Sequence, residues 1–199
     1  MSQLADNIIT GPLVCQAIPT EKAAALIFVS GLGWMEWVEI TGTGAFQGYR
    51  TLRCGALEWG TTTAPRSYEA DLVGGLGSKT SQASIWAWAQ QNGHAVASAT
   101  WTTRVFKFAD VDANTFRFPD LRGIFARFTG TDADTGAAVP IGSYKEDTIK
   151  SHQHGSGAGG FVGGQYASGG APTGYSATGA TGTAETAPKH TSFAPRIHI

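Results

Sequence analysis

The chain has 199 residues, a formal net charge of -1, 15% charged side chains and 42% hydrophobic ones. That length suits one good-sized domain or two small ones, and near-neutrality leaves no electrostatic footprint for nucleic acid or an anionic membrane. The opening MSQLADNIITG has neither the basic stretch nor the apolar core of a signal peptide, and no apolar run approaches the ~20 residues that span a bilayer. The expectation is a protein folded in a cytoplasm, without membrane insertion, whose Cys15 and Cys54 are buried thiols rather than a disulfide.

The first third reads as β. Leu26-Ile27-Phe28-Val29 is a short apolar run, and Gly31-Leu32-Gly33 breaks it. Trp34 to Ile40 follows, rich in aromatic and β-branched residues, although Glu36 and Glu39 spoil a strict alternation. Thr41-Gly42-Thr43-Gly44 is a turn, and Tyr49 to Cys54 returns as the paired strand. One helix is expected from Ser81 to about Asn92, capped by Thr80 or Ser81 and closed by a left-handed Gly93. Its residues Ile85, Trp88 and Ala89 share a face, with Trp86 to one side. Trp86, Trp88 and Trp101 are read as core packing. Trp101 to Phe108 and Thr115 to Phe118 read as strands, and Pro119 stops the second.

The chain holds 27 glycines, concentrated late. From Gly155 to Ala184 it is mostly Gly, Ala, Ser and Thr, with isolated Phe161, Tyr166 and Tyr175 and no charge. Too few large apolar side chains are present to offset the cost of ordering such a backbone. The tract is therefore either disordered or held by something outside itself, such as copies of itself. Aromatic residues set among Ser and Gly are what adaptable binding loops use, so Phe161, Tyr166 and Tyr175 are candidates both for receptor contact and for packing on a shared axis. The segment His190 to Ile199 regains β character.

Chemistry-bearing motifs are few. In Ser151-His152-Gln153-His154-Gly155, residues i and i+2 of an extended strand face one way, so both imidazoles reach one metal ion. Two ligands are an incomplete set, and His94, His190 and His198 are scattered. Three copies would supply six nitrogens, which matches octahedral coordination of iron, zinc, nickel or copper; otherwise the pair is ordinary surface or core histidines. Gly155-Ser156-Gly157-Ala158-Gly159-Gly160 has the form G-x-G-x-x-G but neither the strand nor the helix of a dinucleotide site. Asp132-Ala133-Asp134-Thr135-Gly136 lacks the later ligands of a calcium loop and reads as a polar turn. No nucleophile elbow or zinc-protease helix is present. Glu69, Asp71, Glu146 and Asp147 read as solvated carboxylates, since a glycosidase pair is not recognised by spacing.

From Ser81 onward, several segments occur in an order that resembles phage tail fibre C-terminal and tail-collar domains. They are Ile85-Trp86-Ala87-Trp88-Ala89-Gln90 with Asn92-Gly93; Trp101-Thr102; Phe116 to Gly123, which carries F-x-x-P-D-L-R-G; Ile124 to Arg127; Ile141 to Asp147 leading into Lys150-Ser151-His152-Gln153-His154; and Glu185-Thr186-Ala187-Pro188. The likeness covers roughly residues 57 to 199, weakly before Ser81. At Lys189-His190-Thr191-Ser192 the chain departs from the family's pattern, which has more arginine and asparagine there.

The resemblance implies a mainly β fold with one short helix (α+β), built as an intertwined homotrimeric fibre tip. It implies a collar-like domain over 57–150 and a metal-binding, glycine-rich tip with a returning strand over 151–199; residues 1–56 resemble no family and are read, from their own strand pattern, as a β-rich connector or shaft-end module. It implies further that His152 and His154 of three chains ligate one axial metal ion, iron being the family's usual assignment. The partners implied are an upstream fibre shaft and a bacterial surface receptor, a glycan or an outer-membrane protein, with the protein located in a virion tail fibre or a phage-derived device. On this reading the chain is not an enzyme. The alternatives are a polysaccharide-degrading tailspike-type domain and a purely structural collar or connector.

Overall fold

The structure, a computed structural model, describes residues 12–131, 133, 136–146 and 190–199. Among them the chain is mainly β with one short helix. It divides into a larger unit, Met1–Lys145 with Ser192–Ile199, and a smaller one, Glu146–Thr191. Of the smaller unit the described residues are Glu146, His190 and Thr191.

The larger unit begins with β1 (Leu13–Cys15), β2 (Leu26–Val29), β3 (Gly33–Ile40) and β4 (Phe46–Thr51), a four-stranded sheet in that order. The β1–β2 pair is parallel and the others antiparallel. Alternation along the strands turns Ile27, Val29, Met35 and Tyr49 to one face, where they form a small buried core. A parallel pair needs a crossover. Here residues 16–25 supply it, strapped to the core by Tyr49, whose hydroxyl donates to the Ala24 carbonyl at 2.7 Å and accepts from the N–H groups of Ala23 and Ala24. The two glutamates that disturb the β3 pattern are both accommodated. Glu36 stands on the opposite face in register with Arg50, and Glu39 accepts from the indole N–H of Trp37 at 2.6 Å.

The chain continues through β5 (Leu57–Gly60), β6 (Glu69–Asp71), β7 (Leu76–Ser78), helix α1 (Ala83–Gln91), β8 (Ala95–Ala97), β9 (Phe108–Asp110), β10 (Thr115–Arg117), the two-residue strands β11 (Gly130–Thr131) and β12 (Ala138–Val139), and β13 (Ala194–His198). One sheet has the order β7-β10-β9-β8, and another β5-β13-β6. Leu72, Ile85, Ala89, Phe108, Phe116 and Ile197 are fully buried between these elements. Each such side chain contributes about 1.5–3 kcal/mol of burial for a Leu, Ile or Phe.

Helix α1 differs from expectation at its start. Neither Thr80 nor Ser81 caps it; the N-cap is Gln82, without a side-chain capping bond. The Ser78 hydroxyl instead accepts from the N–H groups of Thr80 and Ser81, and Gln82 accepts from the Ser78 N–H. The turn is thus built from the end of β7 rather than from the helix. The helix end is as read: Gly93 is left-handed at φ 67°, and the His94 N–H reaches the Ala89 carbonyl at 2.7 Å. Trp86 does lie to one side of the Ile85–Ala89 face, but that side is covered as well. It is buried and stacks on Phe116 at 5.3 Å, while Trp88 is the half-buried one. The helix is covered on more than one face because β4 also packs against it, through the Arg50–Gln91 hydrogen bond of 2.9 Å.

The strand expected over Trp101–Phe108 is absent until Phe108. Arg104, a non-glycine residue at φ 70°, turns the chain through the left-handed region and directs its N–H at the Asp120 carbonyl, 2.7 Å away. Phe106 is thereby placed against His94 and Trp88 instead of on a ladder. The Phe116–Gly123 segment is a structural anchor. Phe116, Phe118 and Pro119 are buried. Gly74 donates to the Pro119 carbonyl and Leu121 to that of Leu72. Arg122 holds the Asp120 carboxylate through Nε and Nη2, at 2.9 and 2.6 Å, which keeps that carboxyl below the usual aspartate range.

Candidate functional site

The strand β13 organises the polar centre of the larger unit. It lies between β5 and β6, so both of its edges are paired and both of its faces are covered. On one face Ile197 joins the main core. On the other Arg196, 1% exposed, sends Nε to Asp71 Oδ1 at 2.8 Å and Nη1 to Thr62 Oγ1 at 2.7 Å. Nη2 donates to the Thr62 carbonyl at 2.6 Å, and Glu69 Oε2 lies 3.4 Å from Nη1. Glu69 also accepts from the backbone N–H of Arg66. The charge is therefore buried with its partners, which is the condition for tolerating it.

This changes the reading of two carboxylates. Glu69 is buried rather than solvated, and Asp71 is committed to Arg196. The guanidinium occupies the space between them, where a paired-carboxylate mechanism would need a glycosidic oxygen or a water. Sequence reasoning missed Arg196. Its only signal is a single charge inside the otherwise apolar Ala194-Pro195-Arg196-Ile197 run.

Two of the scattered histidines are accounted for by packing. His94 stacks on Trp88 at 5.4 Å and meets Phe106 edge-on. His198 stacks on Tyr68 at 4.9 Å, and its Nδ1 is 3.1 Å from the Thr51 hydroxyl. Burial pushes both imidazoles below their ordinary range, aided by Lys107 for His94 and by Arg53 for His198. Unfolded histidines take up protons near pH 6.5, and the folded rings resist doing so until lower pH. Stability is thus fully present above about pH 6.5 and falls as pH drops towards the folded values. Melting temperature is expected to decline between pH 7 and 5, and the His94→Gln/His198→Gln variant to show a flatter profile over that interval. An unchanged slope in the variant would remove these rings as its cause.

Both cysteines are free thiols, each half-buried. Burial pushes the Cys54 thiol up to about 11, against the opposing pull of Arg50 and of a Ser84 hydrogen bond. Large apolar side chains remain uncovered, among them Trp34, Leu57 and Trp59. Trp59, 71% exposed, meets Phe193 edge-on at 6.0 Å just before β13.

The metal-ligand candidates His152 and His154 and the contact candidates Phe161, Tyr166 and Tyr175 lie outside the described residues, as does most of the Asp132–Gly136 turn. Among the described residues no group of three or more His, Cys, Asp or Glu side chains is arranged to hold a metal ion. No described helix is long and apolar enough to cross a membrane. Comparison with known proteins gives no match to a family model, a curated protein or a solved structure.

Proposed function

We propose that the chain is the receptor-binding tip of a phage-type tail fibre: a non-enzymatic homotrimer that continues a fibre shaft and attaches to a bacterial surface glycan or outer-membrane protein. His152 and His154 from three copies hold one transition-metal ion, iron by the resemblance and zinc or nickel by ligand chemistry. Phe161, Tyr166 and Tyr175 supply receptor or interchain contacts. Three identical tips gain avidity on a repeated surface ligand, so weak single contacts suffice.

The observation that carries this reading is the path of the chain. The segment with both histidines and the glycine-rich tract is anchored before and after. Ahead of it, Phe106 donates to the Gly142 carbonyl at 2.9 Å and Arg104 to the Tyr144 hydroxyl at 2.9 Å. Behind it, β13 is locked into the centre of a sheet. A segment whose flanking residues are both held by the larger unit suits a functional insertion carried on a rigid base. Two further features support a multichain assembly. His94 and His198 are committed to aromatic packing, which leaves them unsuited to complete a two-histidine set within one chain. Uncovered side chains such as Trp34 and Trp59 suit burial against further copies.

Metal content and native mass, measured on the wild type and on His152→Ala/His154→Ala, test the proposal. The expected result is a trimer with about one transition-metal ion per three chains, the ion being lost from the variant. A metal-free monomer overturns it. Deleting residues 155–184 is expected to abolish cell-surface binding; retained binding would move the receptor site elsewhere.

A further inference from the structure

The groove between β5 and β6 has the properties of a binding site, and the strand that fills it has those of a ligand. The backbone of β13 is held from both sides: Gly55 donates to the His198 carbonyl at 2.8 Å and His198 to that of Ala56 at 2.9 Å, while Leu72 donates to the Pro195 carbonyl at 2.8 Å and Ile199 to that of Tyr68 at 2.9 Å. Side-chain selectivity is built in on both faces. One face offers Asp71, Glu69 and Thr62 to a guanidinium. The Gly60 backbone leaves the guanidinium its room, since a Cβ there would stand 2.8 Å from the Arg196 side chain. The other face takes Ile197 into the core.

These hydrogen-bonding and ion-pair partners of β13 all come from one stretch, Thr51 to Leu72, far away in the chain. Arg196 and Asp71 are 125 residues apart, and Thr51 and the Ile199 carbonyl 148. Contacts at such separation are made only after the cost of closing the loop has been met. In a chain made from its N-terminus, the acceptor stretch is complete while its central strand is still to come.

We infer that the β5–β6 groove is a peptide-acceptor site. It captures the chain's own residues 194–199, an extended segment with an arginine followed by a β-branched apolar residue, as the step that closes the larger unit. The binding mode is strand addition, into the middle of a sheet rather than at its edge. The inference stands whether or not the chain is a fibre tip, because it uses only groups of the larger unit.

The full-length chain, with a specific protease sequence inserted after Ala187, is folded and then cut. After denaturation and removal of the released C-terminal peptide, the large fragment is diluted into native buffer with increasing amounts of synthetic peptide 188–199. The uncut chain serves as the refolding control. Native tryptophan fluorescence is expected to return only with peptide, and saturably. A peptide carrying Arg196→Ala is expected to need roughly two hundred to several thousand times more, or to fail. Native fluorescence without peptide overturns the inference. So does failure of the wild-type peptide at every concentration while the uncut control refolds, and equal potency of the Arg196→Ala peptide overturns the arginine pocket.

Discussion

Replacing Arg196 with alanine is expected to cost the larger unit about 3–5 kcal/mol, the range for breaking a buried ion pair by removing one partner. The substitution leaves the Glu69 side chain, 3% exposed, with its carboxylate facing the vacated groove. The Thr62 carbonyl and hydroxyl lose their donors at the same time. Arg66 still reaches Glu69, at 3.3 Å, but that guanidinium is half in solvent and offsets little. Against a typical total of about 5–15 kcal/mol, this is a large share. Asp71→Asn is expected to cost much less, because the Asp71 side chain is 31% exposed and water replaces the lost partner. Guanidinium denaturation midpoints of the two variants check the ordering. If Arg196→Ala is as mild as Asp71→Asn, the buried arginine is not what holds β13 in place.

Much of the local structure was legible. Leu26–Val29, Trp34–Ile40 and Thr115–Arg117 are strands because β-branched and aromatic residues fit a half-buried pleated surface. The helix declared itself through its apolar spacing and through Gly93. What escaped was set by distant contacts. The strand predicted over Trp101–Phe108 gave way to a left-handed turn at Arg104, a conformation no propensity assigns to arginine. The helix cap moved because Ser78, at the end of β7, supplied the acceptor. Glu69 and Asp71 looked like solvent-facing acids because their partner, Arg196, arrives from the other end of the chain. For the candidate site, the sequence supplies the ligand type and the i, i+2 spacing of His152 and His154. The structure adds the anchoring of the chain on either side of them. On the proposed reading the remaining ligands would come from other copies, and no reading of one chain contains them.

Gly55→Ala is the second substitution with a large expected effect, about 2–5 kcal/mol, and two independent terms build it. Gly55 adopts φ +88°, a region in which a Cβ clashes with the backbone, at a cost of about 1–2 kcal/mol. An added Cβ would also stand 2.1 Å from Trp88 Cε2 and 2.2 Å from Cζ2, well inside van der Waals contact. The indole has little room to retreat, since it is stacked by His94 and meets Phe106 and Phe108 edge-on. Overpacking of this kind costs about 1–3 kcal/mol. The Gly55 N–H also donates to the His198 carbonyl, so a backbone shift that spares the indole would disturb the seat of β13. The two terms separate in a double-mutant cycle with Trp88→Leu. Shrinking the indole relieves the steric part and leaves the backbone part, so the pair should be less destabilised than the sum of the single variants. Additive losses would place the whole penalty in the backbone. A loss below about 1 kcal/mol for Gly55→Ala, less than the backbone term alone, would contradict this packing of the turn against α1.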